Sequence, residues 1–80
     1  MTMKEFCNVL YSTGGWSRYR DGDTVYVSRG RVGFVLEKDW YGNWCFSGTD
    51  IMLDDVESVY FKRNRVILYF YDGKDASIWL

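Results

Sequence analysis

The chain has no histidine and no proline, and it carries only two cysteines, Cys7 and Cys45. Each absence closes a class of function. Without histidine the commonest general base and metal ligand is missing. Two isolated cysteines cannot build a structural zinc site by themselves. No glycine pattern matches a phosphate-binding loop, and no nucleophile elbow is present. The neighbouring acids Asp54 and Asp55 point in different directions on either a strand or a helix, so they make no convergent carboxylate pair. These gaps point away from an enzyme and from any metal or cofactor. Missing too are a membrane-length apolar run and the apolar core of a secretory signal. This points to a cytoplasmic protein without membrane contact, in which the cysteines stay reduced and act as small buried hydrophobes. A disulfide is the alternative. Charge of one sign is also lacking: ten Lys and Arg face eleven Asp and Glu, for a net charge of −1. A generic polyanion binder would carry a basic excess.

What is present is aromatic. Phe, Trp and Tyr make up 20% of 80 residues, and 48% of the chain is apolar. Large rings let a short chain remove enough area from water to fold, so residues 1–80 are expected to form one domain. The first segment reads as a helix. Thr2 and Glu5 have capping-box spacing, and Met3, Phe6, Cys7 and Leu10 share one helical face. Gly14 and Gly15 end it. A helix of about three turns is too short to stand alone and must dock on an apolar surface.

Downstream the chain reads as strands at Thr24–Ser28, Val32–Lys38, Trp44–Ser47, Val56–Lys62, Val66–Tyr71 and Ala76–Leu80. Tight turns lie at Arg29–Arg31, Tyr41–Asn43, Arg63–Arg65 and Asp72–Lys74. Thr49–Asp55 reads as a turn or a short helical turn. The expected fold is α+β and mostly β. A short N-terminal helix docks on a curled antiparallel sheet, or on a small SH3-like barrel, of about five to six strands. On Val66–Tyr71 both faces are apolar. Val66, Leu68 and Phe70 suit the core, and Ile67, Tyr69 and Tyr71 suit cover by the helix. If the helix docks elsewhere, the second face marks an interface.

Two sets of residues are candidates for binding. Trp40, Tyr41 and Trp44 flank a hairpin turn, as protein hot spots do. A domain this small cannot easily bury all four tryptophans, so Trp40 is expected at the surface. The second set is Trp16, Arg18, Tyr19, Arg20, Arg29 and Arg31, where arginines could hold phosphates while rings stack on bases. The alternative for that stretch is an ordinary loop with solvated arginines. Elsewhere Lys62, Arg63 and Arg65 form a basic stretch, and Asp50, Asp54, Asp55 and Glu57 an acidic one.

Gly22-Asp23-Thr24-Val25-Tyr26-Val27, then Gly30 and Val32-Gly33-Phe34-Val35, resembles the first hairpin of SH3-like barrels of KOW type. That resemblance implies contact with ribosomal RNA or protein. Across most of its length the chain also resembles small accessory proteins of phages and mobile elements of Gram-positive bacteria. Met1-Thr2-Met3-Lys4-Glu5-Phe6, Trp44-Cys45-Phe46-Ser47-Gly48-Thr49, Val56-Glu57-Ser58-Val59-Tyr60 and Val66-Ile67-Leu68-Tyr69 carry the likeness. Trp16–Arg31 departs from it by being unusually aromatic and basic. This resemblance implies an anti-defence role in the cytoplasm of a host bacterium, such as inhibition of a CRISPR effector or sequestration of a defence signalling nucleotide.

Three functions are therefore expected to compete. One is an inhibitor that binds a host protein through the Trp40, Tyr41 and Trp44 surface. Another is a nucleic-acid-binding barrel using the arginine set. The third is a nucleotide-sequestering protein with Trp16 beside Arg18 or Arg20. A homodimer is a further expectation, through the apolar strand faces or through pairing of Ala76–Leu80 across a two-fold axis.

Overall fold

Helix α1 (Met3–Thr13) begins on the capping box written in its sequence. Thr2 is extended, the Glu5 amide donates to Thr2 Oγ1 at 3.1 Å, and the Thr2 amide donates to Glu5 Oε1 at 2.9 Å. Gly14, at φ 78°, stops the helix, and its amide returns to the Leu10 carbonyl. The Thr2 amide, and then the Thr2 hydroxyl, hold the Glu5 carboxyl below its ordinary pKa. A lowered folded-state pKa stabilises the fold above the ordinary glutamate range, and that contribution fades as pH falls through the lowered value. Thr2→Ala is expected to cost about 1 kcal/mol in urea unfolding. A Glu5→Gln chain should lack the matching part of the acid profile. An unchanged urea midpoint in Thr2→Ala would contradict the cap's role.

The computed structural model describes residues 1–80. After α1 come β1 (Ser17–Asp21), β2 (Thr24–Arg29), β3 (Val32–Lys38), β4 (Trp44–Phe46), a 3-10 turn at Leu53–Asp55, β5 (Val56–Phe61), β6 (Arg65–Phe70) and β7 (Asp75–Trp79). Every pairing is antiparallel. The strands form one sheet in the order β1-β2-β3-β4 and another in the order β5-β6-β7. The fold is thus one helix with two antiparallel sheets, and the strands do not close into a barrel. The chain leaves the first sheet after β4, makes a single bridge from Cys45 to Met52, and turns through Leu53–Asp55 before starting the second. That turn, expected from Thr49–Asp55, is where a continuous curled sheet would have had to run.

There are seven strands rather than five or six. The extra one is β1, which lies in the stretch also readable as a loop. It pairs with β2 through Arg18 opposite Val27, Tyr19 opposite Tyr26 and Arg20 opposite Val25. All five of its residues are exposed, so it shows no inside-outside alternation to read. Its neighbour β2 shows the alternation plainly: Val25 and Val27 are buried while Tyr26 and Ser28 are exposed. Gly33 sits opposite Ser28, where a Cβ would collide with the Val27 carbonyl oxygen. Close strand approach is therefore what demands the glycine of the Gly-x-Val step.

The core lies between the two sheets, with the helix inserted into it. Phe6 is fully buried, with the rings of Phe46, Phe34 and Phe61 at 6.0, 6.1 and 6.2 Å. Val25, Val27 and Leu36 come from the first sheet, Val56, Val66 and Leu68 from the second. The helix therefore packs on the Val66 and Leu68 side of β6. It does not cover Ile67, Tyr69 and Tyr71, which corrects the expectation that the helix lies over that face. Tyr69 and Tyr71 are exposed. Arg29 fastens the sheets together, donating through Nη2 to the Lys62 and Arg63 carbonyls at 3.1 Å each.

Candidate functional site

The four tryptophans divide into two that pack and two that project. Trp16 lies against Phe61 and Phe34 at 5.2 and 5.7 Å, with the Arg29 guanidinium 4.7 Å from its ring. Its indole Nε1 is buried without a hydrogen-bond partner. Trp44 is half-buried on β4, with the Arg20 guanidinium and the Lys38 ammonium 5.3 and 5.9 Å from its ring. Trp40 and Trp79 instead reach solvent, at 96% and 66% exposure.

Trp40 and Tyr41, the latter 86% exposed, form the tip of the β3–β4 hairpin. That tip is held from within by Asp39. Its Oδ1 accepts from the Tyr41 amide at 2.9 Å and the Asn43 amide at 2.8 Å. The Asp39 amide donates to the Asn43 carbonyl at 2.8 Å, and the Gly42 amide to the Asp39 carbonyl at 3.0 Å. Gly42 supplies the positive φ, 85°, that this turn requires. Asp39 thus fixes the backbone beneath two rings that have no packing of their own. The sequence signal for this is an aspartate placed two residues before Tyr41 and four before Asn43 in a glycine-containing loop.

The arginine set is spread along the β1–β2 pair and the turn after it. Arg20 sits at one end, stacked on Trp44 and donating through Nε to the Gly22 carbonyl at 3.0 Å. Arg29 sits at the other, stacked on Trp16 and spent on backbone carbonyls. Trp16 is therefore partnered by Arg29 and not by Arg20. Arg18 is exposed and lines one shallow cavity with Trp16 and with Cys7, Asn8, Leu10 and Tyr11 of α1, so the expected neighbourhood of Trp16 holds for Arg18; Arg31 lies in the β2–β3 turn. Tyr19 faces the opposite side of the sheet, 6.2 Å from Tyr26.

A second aromatic surface is the outer face of β5–β7. Tyr60 and Tyr69 meet edge to face at 5.5 Å, and the Arg65 guanidinium lies 5.3 Å from the Trp79 ring. Tyr69 belongs to the strand with two apolar faces. No sequence signal marks Tyr60 and Trp79 as site residues, because their exposure depends on how the strands pair.

Cys7 and Cys45 are free thiols. Cys45 lies near the root of the hairpin and donates to the Thr49 carbonyl at 3.3 Å. Burial first, then the carboxylates of Asp50, Asp39 and Glu37, push its pKa up. A raised pKa stabilises the fold below the ordinary thiol range, and that contribution is lost as pH rises through the raised value. At neutral pH iodoacetamide should therefore modify Cys45 more slowly in the folded protein than in urea, as read by peptide mass spectrometry. Equal rates would contradict the assignment. No group of three or more Cys, Asp or Glu is placed to hold a metal ion, and no helix is long and apolar enough to cross a membrane.

Comparison with protein-family models, curated proteins and solved structures gives no match.

Proposed function

We propose that this chain is a non-catalytic protein-binding domain that inserts Trp40 and Tyr41 into a pocket on a partner protein. The observation that supports this most is a pair of almost fully exposed rings on a turn already fixed by Asp39. An exposed indole on a rigid backbone gains its whole burial on docking and loses little loop entropy. The arginine set supports a nucleic-acid interface less well, because Arg20 and Arg29 are engaged within the protein. The resemblance to small phage and mobile-element proteins suggests the partner's class: a bacterial defence protein, such as a CRISPR effector, inhibited by occupancy of its surface.

The test is capture by the tagged chain from bacterial lysate, with and without nuclease. The expected result is one defined protein partner that survives nuclease treatment. Loss of all captured material on nuclease treatment would move the function to nucleic acid.

A further inference from the structure

Of the four edge strands, β1, β4, β5 and β7, the first and the last are built differently. β1 carries Arg18, Arg20 and Asp21, charges of the kind that keep an edge from pairing. β7 reads Asp75-Ala76-Ser77-Ile78-Trp79, with one charge, at its start, and neither lysine nor proline. Its register sets Tyr69 opposite Asp75, Ile67 opposite Ser77 and Arg65 opposite Trp79. The Phe70 amide donates to the Lys74 carbonyl and the Leu80 amide to the Asn64 carbonyl. Antiparallel alternation then turns the backbone groups of Lys74, Ala76, Ile78 and Leu80 toward β6. Those of Asp75, Ser77 and Trp79 point away from it, along the free edge.

We infer that β7 pairs with β7 of a second copy of this chain, about a two-fold axis through Ser77. Antiparallel pairing centred there sets Ser77 opposite the second copy's Ser77 and Asp75 opposite its Trp79. Every outward amide and carbonyl of Asp75, Ser77 and Trp79 then finds a partner. Charge selects this arrangement. Trp79 carries the Arg65 guanidinium beside its ring, so Asp75 of each copy meets the cationic end of the other. Parallel pairing would set Asp75 against Asp75. The Tyr60, Tyr69 and Trp79 faces of the two copies become one aromatic surface. This inference is independent of the Trp40 reading, since the hairpin lies on the other sheet.

Sedimentation of the full chain from about 1 µM to about 1 mM tests it. The expected result is a monomer–dimer equilibrium. Ser77→Pro removes an outward amide without breaking the ladder to β6, so that chain should stay folded by circular dichroism and sediment as a monomer. Asp75→Arg and Arg65→Asp should each weaken the dimer by roughly tenfold, and the double reversal should restore it. If Ser77→Pro fails to fold, the charge reversals decide alone. A wild-type chain that stays monomeric throughout would leave this edge to a strand of another protein and overturn the inference. So would a dimer that none of these variants weakens.

Discussion

Phe6→Ala is expected to remove a large fraction of the stability of this protein. Phe6 is the one helical side chain seated among Phe34, Phe46 and Phe61, and it is wholly buried. Truncating a buried phenylalanine costs about 3–5 kcal/mol, from lost transfer energy plus the cavity left behind. At roughly 0.05–0.15 kcal/mol per residue, a domain of 80 residues totals about 4–12 kcal/mol, so the loss is a large fraction of it. The variant should therefore be largely unfolded, or melt far below the wild type in calorimetry. Tyr11→Ala, on the same helix but 90% exposed, should stay within about 0.5 kcal/mol of wild type. A Phe6→Ala chain that loses less than about 1 kcal/mol would show that the helix is not what closes the two sheets.

Trp40→Ala should have the opposite profile, with no measurable change in urea midpoint and a large loss of partner binding. At 96% exposure its ring contributes almost nothing to the fold. A tryptophan anchor at a protein interface is worth at least about 2 kcal/mol, or roughly 30-fold in affinity. Tyr41→Ala should act in the same direction. Asp39→Ala should weaken binding while both rings remain, because the Tyr41 and Asn43 amides lose the carboxylate that orders the turn. This last variant separates a rigid display from mere exposed hydrophobicity.

What could be read from the sequence was local. Thr2, Glu5 and the Phe6–Leu10 spacing define α1 within a few residues of chain, and the structure follows them. The hairpin turns at Gly30, Gly42, Asn64 and Gly73 place the starts of β3, β4, β6 and β7 to within a residue, and the turns at Gly22 and before Val56 do the same for β2 and β5. β1 was ambiguous because an edge strand with no buried face leaves no alternating pattern. The split into two sheets depends on the excursion between Phe46 and Val56, where the backbone bridges Cys45 to Met52 instead of extending the ladder. The pairing of Arg29 with Trp16 and with the β5–β6 turn joins residues far apart in the chain, so no spacing rule reaches it. At the candidate site, the exposure of Trp40 followed from an excess of tryptophan over what a small core can hold. Trp79 was equally eligible by that count. Its exposure follows only from its register opposite Arg65 at the sheet edge.

The docking role of Trp40 and Tyr41 is tested most directly by quantitative mass spectrometry of nuclease-treated captures. Wild type, Trp40→Ala/Tyr41→Ala and Trp79→Ala would be compared side by side. One partner protein is expected with wild type and Trp79→Ala and depleted by roughly 30-fold or more in the double variant. A partner retained equally by all three chains would contradict docking through the β3–β4 hairpin.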